Sequence, residues 1–307
     1  MSNVRVCVDV VGGDEKPQVV LDGIEAALAA DPDIEVLAAG PAEIVNPFAA
    51  SHARVEALEA PDVIAMDDDP IRAVMTKRKS SIVLSCRAIK KGNADAFFSA
   101  GSTGALLAGA TLVVKRIRGL RRAALAPTIP TMTGKAVLID CGANAECRAE
   151  MLNAFGTMGS VYMNKVMGRK DPAVALVNNG AEDTKGTPMY REAHGLLKAN
   201  PAIRFVGNIE PRDIMAGEVD VIVCDGFVGN VVLKLTEGVA GTLLGMLKDI
   251  FMQSIVTKLC YLGVKGGLRN LKHMMDSEEI GGAPLLGAAK PVIKAHGSST
   301  VSYTHLT

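Results

Sequence analysis

Residues 219–234 read VDVIVCDGFVGNVVLK, and the fold class turns on how this stretch is divided. From Val219 to Cys224 the chain is apolar at every position but one. A strand with one wet face alternates, whereas a nearly continuous apolar run fits a strand covered on both faces, as in a parallel sheet. The next apolar-periodic stretch begins near Val231, so DGFVGN reads as a strand-to-helix turn. In open α/β sheets such turns lie at the carboxyl edge, where ligands bind, and two glycines allow close backbone approach. Asp225, Gly229 and Asn230 therefore become candidates for chemistry.

The same rhythm runs outward from this point. VRVCVDV at 4–10, IEVLAAG at 34–40, RVEALEA at 54–60, DAFFSAG at 95–101, KAVLIDCG at 135–142, AVALVNNG at 173–180 and IRFVGNIE at 203–210 read as strands. Helical patterns fall at 17–30, 71–91, 104–117, 149–167 and 188–199. This alternation predicts βαβ units and a mostly parallel sheet with helices on both faces. We expect one α/β catalytic domain over 1–307, with a helical hairpin inserted at about 238–276. Its helical pattern runs from Val231 to Leu262, is broken by the glycines of YLGVKGGL, and resumes at RNLKHMM. Leu259, Leu262, Val264 and Leu268, flanked by Lys258, Lys265, Arg269 and Lys272, make an apolar and basic tip suited to an anionic membrane. A dimer or core helix pair is the plainer reading of the same hairpin.

Composition removes several classes. Lys plus Arg and Asp plus Glu both number 33 in 307 residues, so no global basic field points to nucleic acid. The six cysteines show no CxxC and no Cys/His ligand spacing, which argues against a metal or disulfide framework. Cys7, Cys141 and Cys224 sit in apolar runs and read as small buried hydrophobes. No charged-then-apolar leader precedes VRVCVDV, and no stretch reaches spanning length free of charge or Gly, so a cytoplasmic location is expected.

Other strand ends carry similar signals. Asp9 and Asp14 surround Gly12 and Gly13, while Ser102 and Thr103 lie between Gly101 and Gly104. DCGAN offers Asp140 and Asn144; NNGAEDTKGT offers Glu182, Asp183, Lys185 and Thr187; and His296 precedes Gly297, Ser298 and Ser299. Small and hydroxyl residues at helix N-termini present N–H groups to anions, and phosphate is the natural ligand. The GxGxxG fingerprint is missing at VGGDEKP and the Walker Lys at GSTGALLAG.

Together these stretches resemble one family, the phosphate acyltransferases of bacterial phospholipid synthesis. The resemblance rests on GGD at 12–14, SAGSTGALLAG at 99–109, DCGAN at 140–144, MGSVY at 158–162, KG at 185–186, FVGNIEPRDI at 205–214, CDGFVGNVVLK at 224–234, GGAPLLG at 281–287 and IKAHGSS at 293–299. It implies a fold like the isopropylmalate dehydrogenase and phosphotransacetylase group, a homodimer, and peripheral contact with the inner membrane face. The implied reaction moves an acyl chain from acyl carrier protein to inorganic phosphate, with no cofactor and no metal. Ser102 and Thr187 stand where the family has Asn. The ending VSYTHLT falls outside the pattern and reads as an altered terminus.

For that chemistry Lys185 and the Asn230 amide suit a developing oxyanion. His296 suits proton delivery or phosphate holding, and Asp225 the orientation of Lys185 or a backbone turn. Asp14, Gly101, Ser102, Thr103, Asn144, Gly229 and Ser298 are the expected phosphate or substrate contacts. Two related activities, a short-chain phosphotransacetylase on coenzyme A thioesters and a metal- and NAD-dependent dehydrogenase, and a non-catalytic membrane scaffold remain as rival readings.

Overall fold

The computed structural model describes residues 3–14, 16–275 and 282–295. His296, Ser298 and VSYTHLT lie outside the described residues. The chain divides into two compact units, residues 1–127 with 280–307, and residues 128–279.

The first unit opens with β1 (Val4–Asp9), α1 (Pro17–Ala30), β2 (Ile34–Gly40), α2 (Ala42–Ser51) and β3 (Val55–Glu59). It continues with α3 (Pro70–Thr76), α4 (Ser81–Lys91), β4 (Ala96–Ser99), α5 (Thr103–Gly109) and the short β5 (Ala124–Leu125). Val6, Val8 and Val10 bury with Leu21, Ile24 and Leu28, so α1 covers one face of the sheet with the stripe that its period predicts. The helix expected over 71–91 is two. Asp69 Oδ1 accepts from the Arg72 N–H at 2.7 Å and Ser80 Oγ from the Val83 N–H at 3.4 Å, so two N-caps start two helices and leave Lys77–Arg78–Lys79 in the break.

The second unit carries β6 (Thr128–Thr131), β7 (Gly134–Ile139), α6 (Ala149–Lys165), β8 (Ala173–Val177), α7 (Pro188–Lys198), β9 (Arg204–Ile209), β10 (Val221–Val223), α8 (Gly226–Met252) and α9 (Ile255–Met275). Its sheet runs β6-β7-β10-β8-β9, parallel except for β6. Every residue of β8 and β10 is buried, as an apolar run covered on both faces requires. The chain then supplies β11 (Ala283–Leu286) and β12 (Val292–Lys294), which complete the first sheet in the order β3-β2-β1-β4-β12-β11-β5. There β11 is antiparallel to both neighbours.

Helices α8 and α9 follow one another with a corner that does not fall at the expected glycines. Gly263, Gly266 and Gly267 lie inside α9, and the turn falls at Gln253–Ser254. Ser254 Oγ accepts from the Thr257 N–H at 3.1 Å and Thr257 Oγ1 from the Ser254 N–H at 3.0 Å, a reciprocal cap that fixes where α9 begins. Leu259, Leu262, Val264 and Leu268 therefore lie along a helix rather than at its tip. By length and composition α8 is apolar enough to cross a membrane.

Candidate active site

In the first unit β1, β4 and β12 are adjacent and parallel, so their carboxyl ends share one edge. Asp9 is fully buried at the end of β1. It accepts from Ser99 Oγ at 2.7 Å and from the Val11 N–H at 3.3 Å, and Ser99 Oγ in turn accepts from the Gly101 N–H at 2.9 Å. One carboxyl thus shapes both glycine turns. Burial pushes its pKa up, opposed by the hydrogen bonds from Ser99, Ser81, Val11 and Gly12. A Cβ on Gly12 would fall 2.1 Å from Asp9 Oδ2, so no larger residue fits there.

Ser102 caps α5, its Oγ accepting from the Ala105 N–H at 3.5 Å; Gly101 and Ser102 are buried and Thr103 half-buried in the first turn. Asp14 is exposed on the β1 turn. At the end of β12, Lys294 Nζ donates to the Ala100 carbonyl at 3.1 Å and to that of Ala295, binding the β4 turn to β12.

In the second unit β7, β10 and β8 are neighbours, so the turns bearing Asn144, Asn230 and Lys185 again share one edge. Asp140 Oδ1 accepts from the Ala143 N–H at 3.1 Å, and its Oδ2 from the Asn144 N–H at 2.7 Å and the Asn144 amide at 2.8 Å. The Asn144 carbonyl then takes the Gly226 N–H at 2.8 Å, joining the β7 turn to the start of α8. Helix α8 begins at Gly226, five residues before the expected Val231. Asp225 is its N-cap, with Oδ1 2.9 Å from the Val228 N–H, so DGFVGN is the helix's first turn rather than a loop. A Cβ on Gly229 would sit 1.9 Å from the Asp140 carbonyl oxygen, which only glycine avoids. Asn230 is exposed one turn into the helix, beside Gly142.

Lys185 is exposed, and its Nζ lies 3.8 Å from Glu182 Oε1 rather than on Asp225. Buried Asn178 donates to the Lys185 carbonyl at 3.2 Å and sets its loop. Thr187 caps α7, accepting from the Tyr190 N–H at 3.4 Å. Tyr190 Oη donates to Asp225 Oδ2 at 2.6 Å, tying the Lys185 turn to the Asn230 helix. Burial, then the Asp225 contact, hold this phenol above its usual range, so it remains a donor at neutral pH. Tyr190, Asn178 and Ser99 escaped sequence reasoning. Among the described residues no three His, Cys, Asp or Glu side chains group as metal ligands.

A family profile described as fatty acid synthesis protein matches residues 4–305. The chain belongs to that family. It is 44% identical over 300 residues to a phosphate acyltransferase of Listeria welshimeri, covering 97% of this chain and 89% of that protein. It is 46% identical over 298 residues to a phosphate acyltransferase of Lysinibacillus sphaericus, covering 96% and 90%. The fold is that of phosphotransacetylases. The Streptococcus pyogenes structure gives a TM-score of 0.65 at 17% identity over 99% of this chain and 91% of that one. The Staphylococcus aureus EutD structure gives 0.64 at 16% over 99% and 91%.

Proposed function

We infer that the protein is a phosphate acyltransferase: it moves a long-chain acyl group from the thioester of acyl carrier protein to inorganic phosphate, for phospholipid synthesis. The observation that carries this reading is the near-full-length identity to phosphate acyltransferases. A phosphate oxygen attacks the thioester carbon, the C–O bond forms, and collapse of the tetrahedral intermediate breaks C–S, leaving acyl phosphate and a pantetheine thiol. Phosphate is already anionic at neutral pH, so the site's work is to position it, strip its water and neutralise charge. Lys185 and the Asn230 amide donate to the oxyanion, each worth about 3 kcal/mol. A thiol's pKa of about 8.5 makes its anion a fair leaving group, with His296 as proton source or phosphate ligand.

Asp225 acts through the helix turn it caps. Asp14, Gly101, Ser102, Thr103, Asn144, Gly229 and Ser298 bind phosphate or substrate, and residues 1–307 act as one catalytic unit. The protein is cytoplasmic and homodimeric, needs no metal or redox cofactor, and touches the inner membrane face through Leu259, Leu262, Val264 and Leu268. The dimer reading is supported by an exposed apolar stripe along α8 through Val231, Leu235, Val239, Leu243, Met246 and Ile250. The membrane reading is supported by exposed Leu259, Leu262 and Val264 and by a groove of about 490 Å³ lined by Phe251, Tyr261 and Leu268 with Lys248, Lys265 and Arg269.

The test is product formation. Purified protein with phosphate and long-chain acyl carrier protein should yield acyl phosphate, trapped as its hydroxamate, in the presence of a chelator. Turnover restricted to acetyl-coenzyme A would establish the short-chain phosphotransacetylase instead. Strict dependence on a divalent ion and NAD would establish the dehydrogenase.

A further inference from the structure

Between Asp95 and Asp140 the chain contains no acidic residue, and within that span residues 115–122 read KRIRGLRR, five cations in eight positions. Lys115, Arg116, Arg118, Arg121 and Arg122 are all exposed. Elsewhere cations such as Arg5, Lys77, Arg169 and Lys198 meet carboxylates. Among the described residues none of these five does. The segment is held in place: the Ile117 N–H donates to the Gly287 carbonyl at 3.0 Å, the Ala289 N–H to that of Lys115 at 2.9 Å, and the Leu120 N–H closes a turn on Ile117 at 3.1 Å. A fixed, unpaired basic ridge in a chain of zero net charge is a local feature, and its complement is an acidic surface.

We propose that this ridge docks an acidic face of the carrier protein that delivers the acyl thioester. The proposal rests on the acyl-transfer reading given above. A bilayer fits less well, because the eight residues offer one exposed large apolar side chain, Ile117, and an interfacial segment needs an apolar face to bury. A single-stranded nucleic acid would want aromatic platforms, and the segment has none. The ridge begins where the helical stretch starting at the Ser102 cap ends, about 18 Å along at about 1.5 Å per residue. A carrier that presents its thioester on a long flexible arm docks at such a remove from the Ser102 turn, to which the acyl-transfer reading gives phosphate or substrate.

The experiment compares the intact protein with Arg118→Glu/Arg121→Glu, and with the milder Arg118→Gln/Arg121→Gln should the first misfold. Binding of the holo carrier, followed by fluorescence anisotropy, should weaken at least about tenfold. KM for the acyl-carrier donor should rise in step while kcat holds, and KM and kcat for a small long-chain acyl-coenzyme A donor should not move. Raising salt should weaken carrier binding to the native protein more steeply than to the variants. Unchanged carrier affinity in a folded variant overturns the proposal, and so does loss of co-sedimentation with phosphatidylglycerol vesicles in place of the carrier effect. Carrier binding is read without turnover, so a protein that binds the carrier through the ridge and makes no acyl phosphate contradicts the reaction and leaves the docking surface standing.

Discussion

At Ser102 and Thr187 the sequence departs from the Asn of the family it resembles, and both side chains are N-caps, a task that Ser, Thr and Asn share. The departures therefore keep the local start of α5 and α7. Asp9, Asn144 and Asp225 stood out because each follows an apolar strand and precedes a helix, whereas Asn230 falls inside the first turn of α8. Tyr190 was not, since its partner Asp225 lies 35 residues away and no local pattern announces that bond. Tyr190→Phe leaves a buried carboxylate oxygen short of a donor, at a cost of about 1–3 kcal/mol. It should lower both the melting temperature and kcat, read by calorimetry and steady-state kinetics. Lys185→Ala and Asn230→Ala change exposed residues, so each should keep the melting temperature and lose at least about tenfold in acyl phosphate formation. Full turnover in both variants would remove them from the mechanism. Cys7, its thiol pushed up to about 12 by burial, and the buried Cys86, Cys141 and Cys224 should resist a thiol reagent at pH 8, whereas exposed Cys260 should react at once, as mass spectrometry of labelled peptides would reveal.

Among the elements, β2 over 34–40, α1 and α6 were plain from periodicity; the 71–91 stretch hid a break set by two side-chain caps, and the errors in α8 and α9 fall where glycine and packing compete. Gly226 and Gly229 look like loop residues by propensity, yet the close approach of α8 to Asn144 and the Asp140 carbonyl demands them inside the helix. The α9 glycines mislead in the same direction: each costs the helix about 1 kcal/mol yet none ends it, and the reciprocal cap at Ser254 fixes where α9 begins. Ser254→Ala should cost about 1 kcal/mol and fray the first turn of α9, visible as faster amide exchange there. The short antiparallel β6 and helix α2 carried too little periodicity to be found. With Leu262 and Val264 exposed on α9, Leu262→Asp/Val264→Asp should abolish co-sedimentation with anionic vesicles and leave turnover of soluble acyl carrier protein within a few fold. If vesicle binding survives, or the dimer dissociates instead, the segment is a subunit contact.

On the scale of the whole molecule, the alternation of strands and helices was enough to give the α/β class, but not the partition into two sheets. That partition depends on which strands find each other across long separations, and β12 pairs with β4 almost two hundred residues earlier. The second unit is continuous in sequence, has its own sheet and buries its own strands, so residues 128–279 expressed alone should retain native-like circular dichroism and unfold cooperatively. The first unit is interrupted, and its last strands arrive from the far end of the chain. During synthesis β1 to β5 therefore emerge with one side of β4 bare, and they stay so while the ribosome makes all of 128–279, at about 5–20 residues per second. A bare inner edge is a template for pairing with another nascent chain. The order of translation thus sets a window in which the β4 edge stays open to other chains, and slowing elongation across 128–279 should lower soluble yield by lengthening that window.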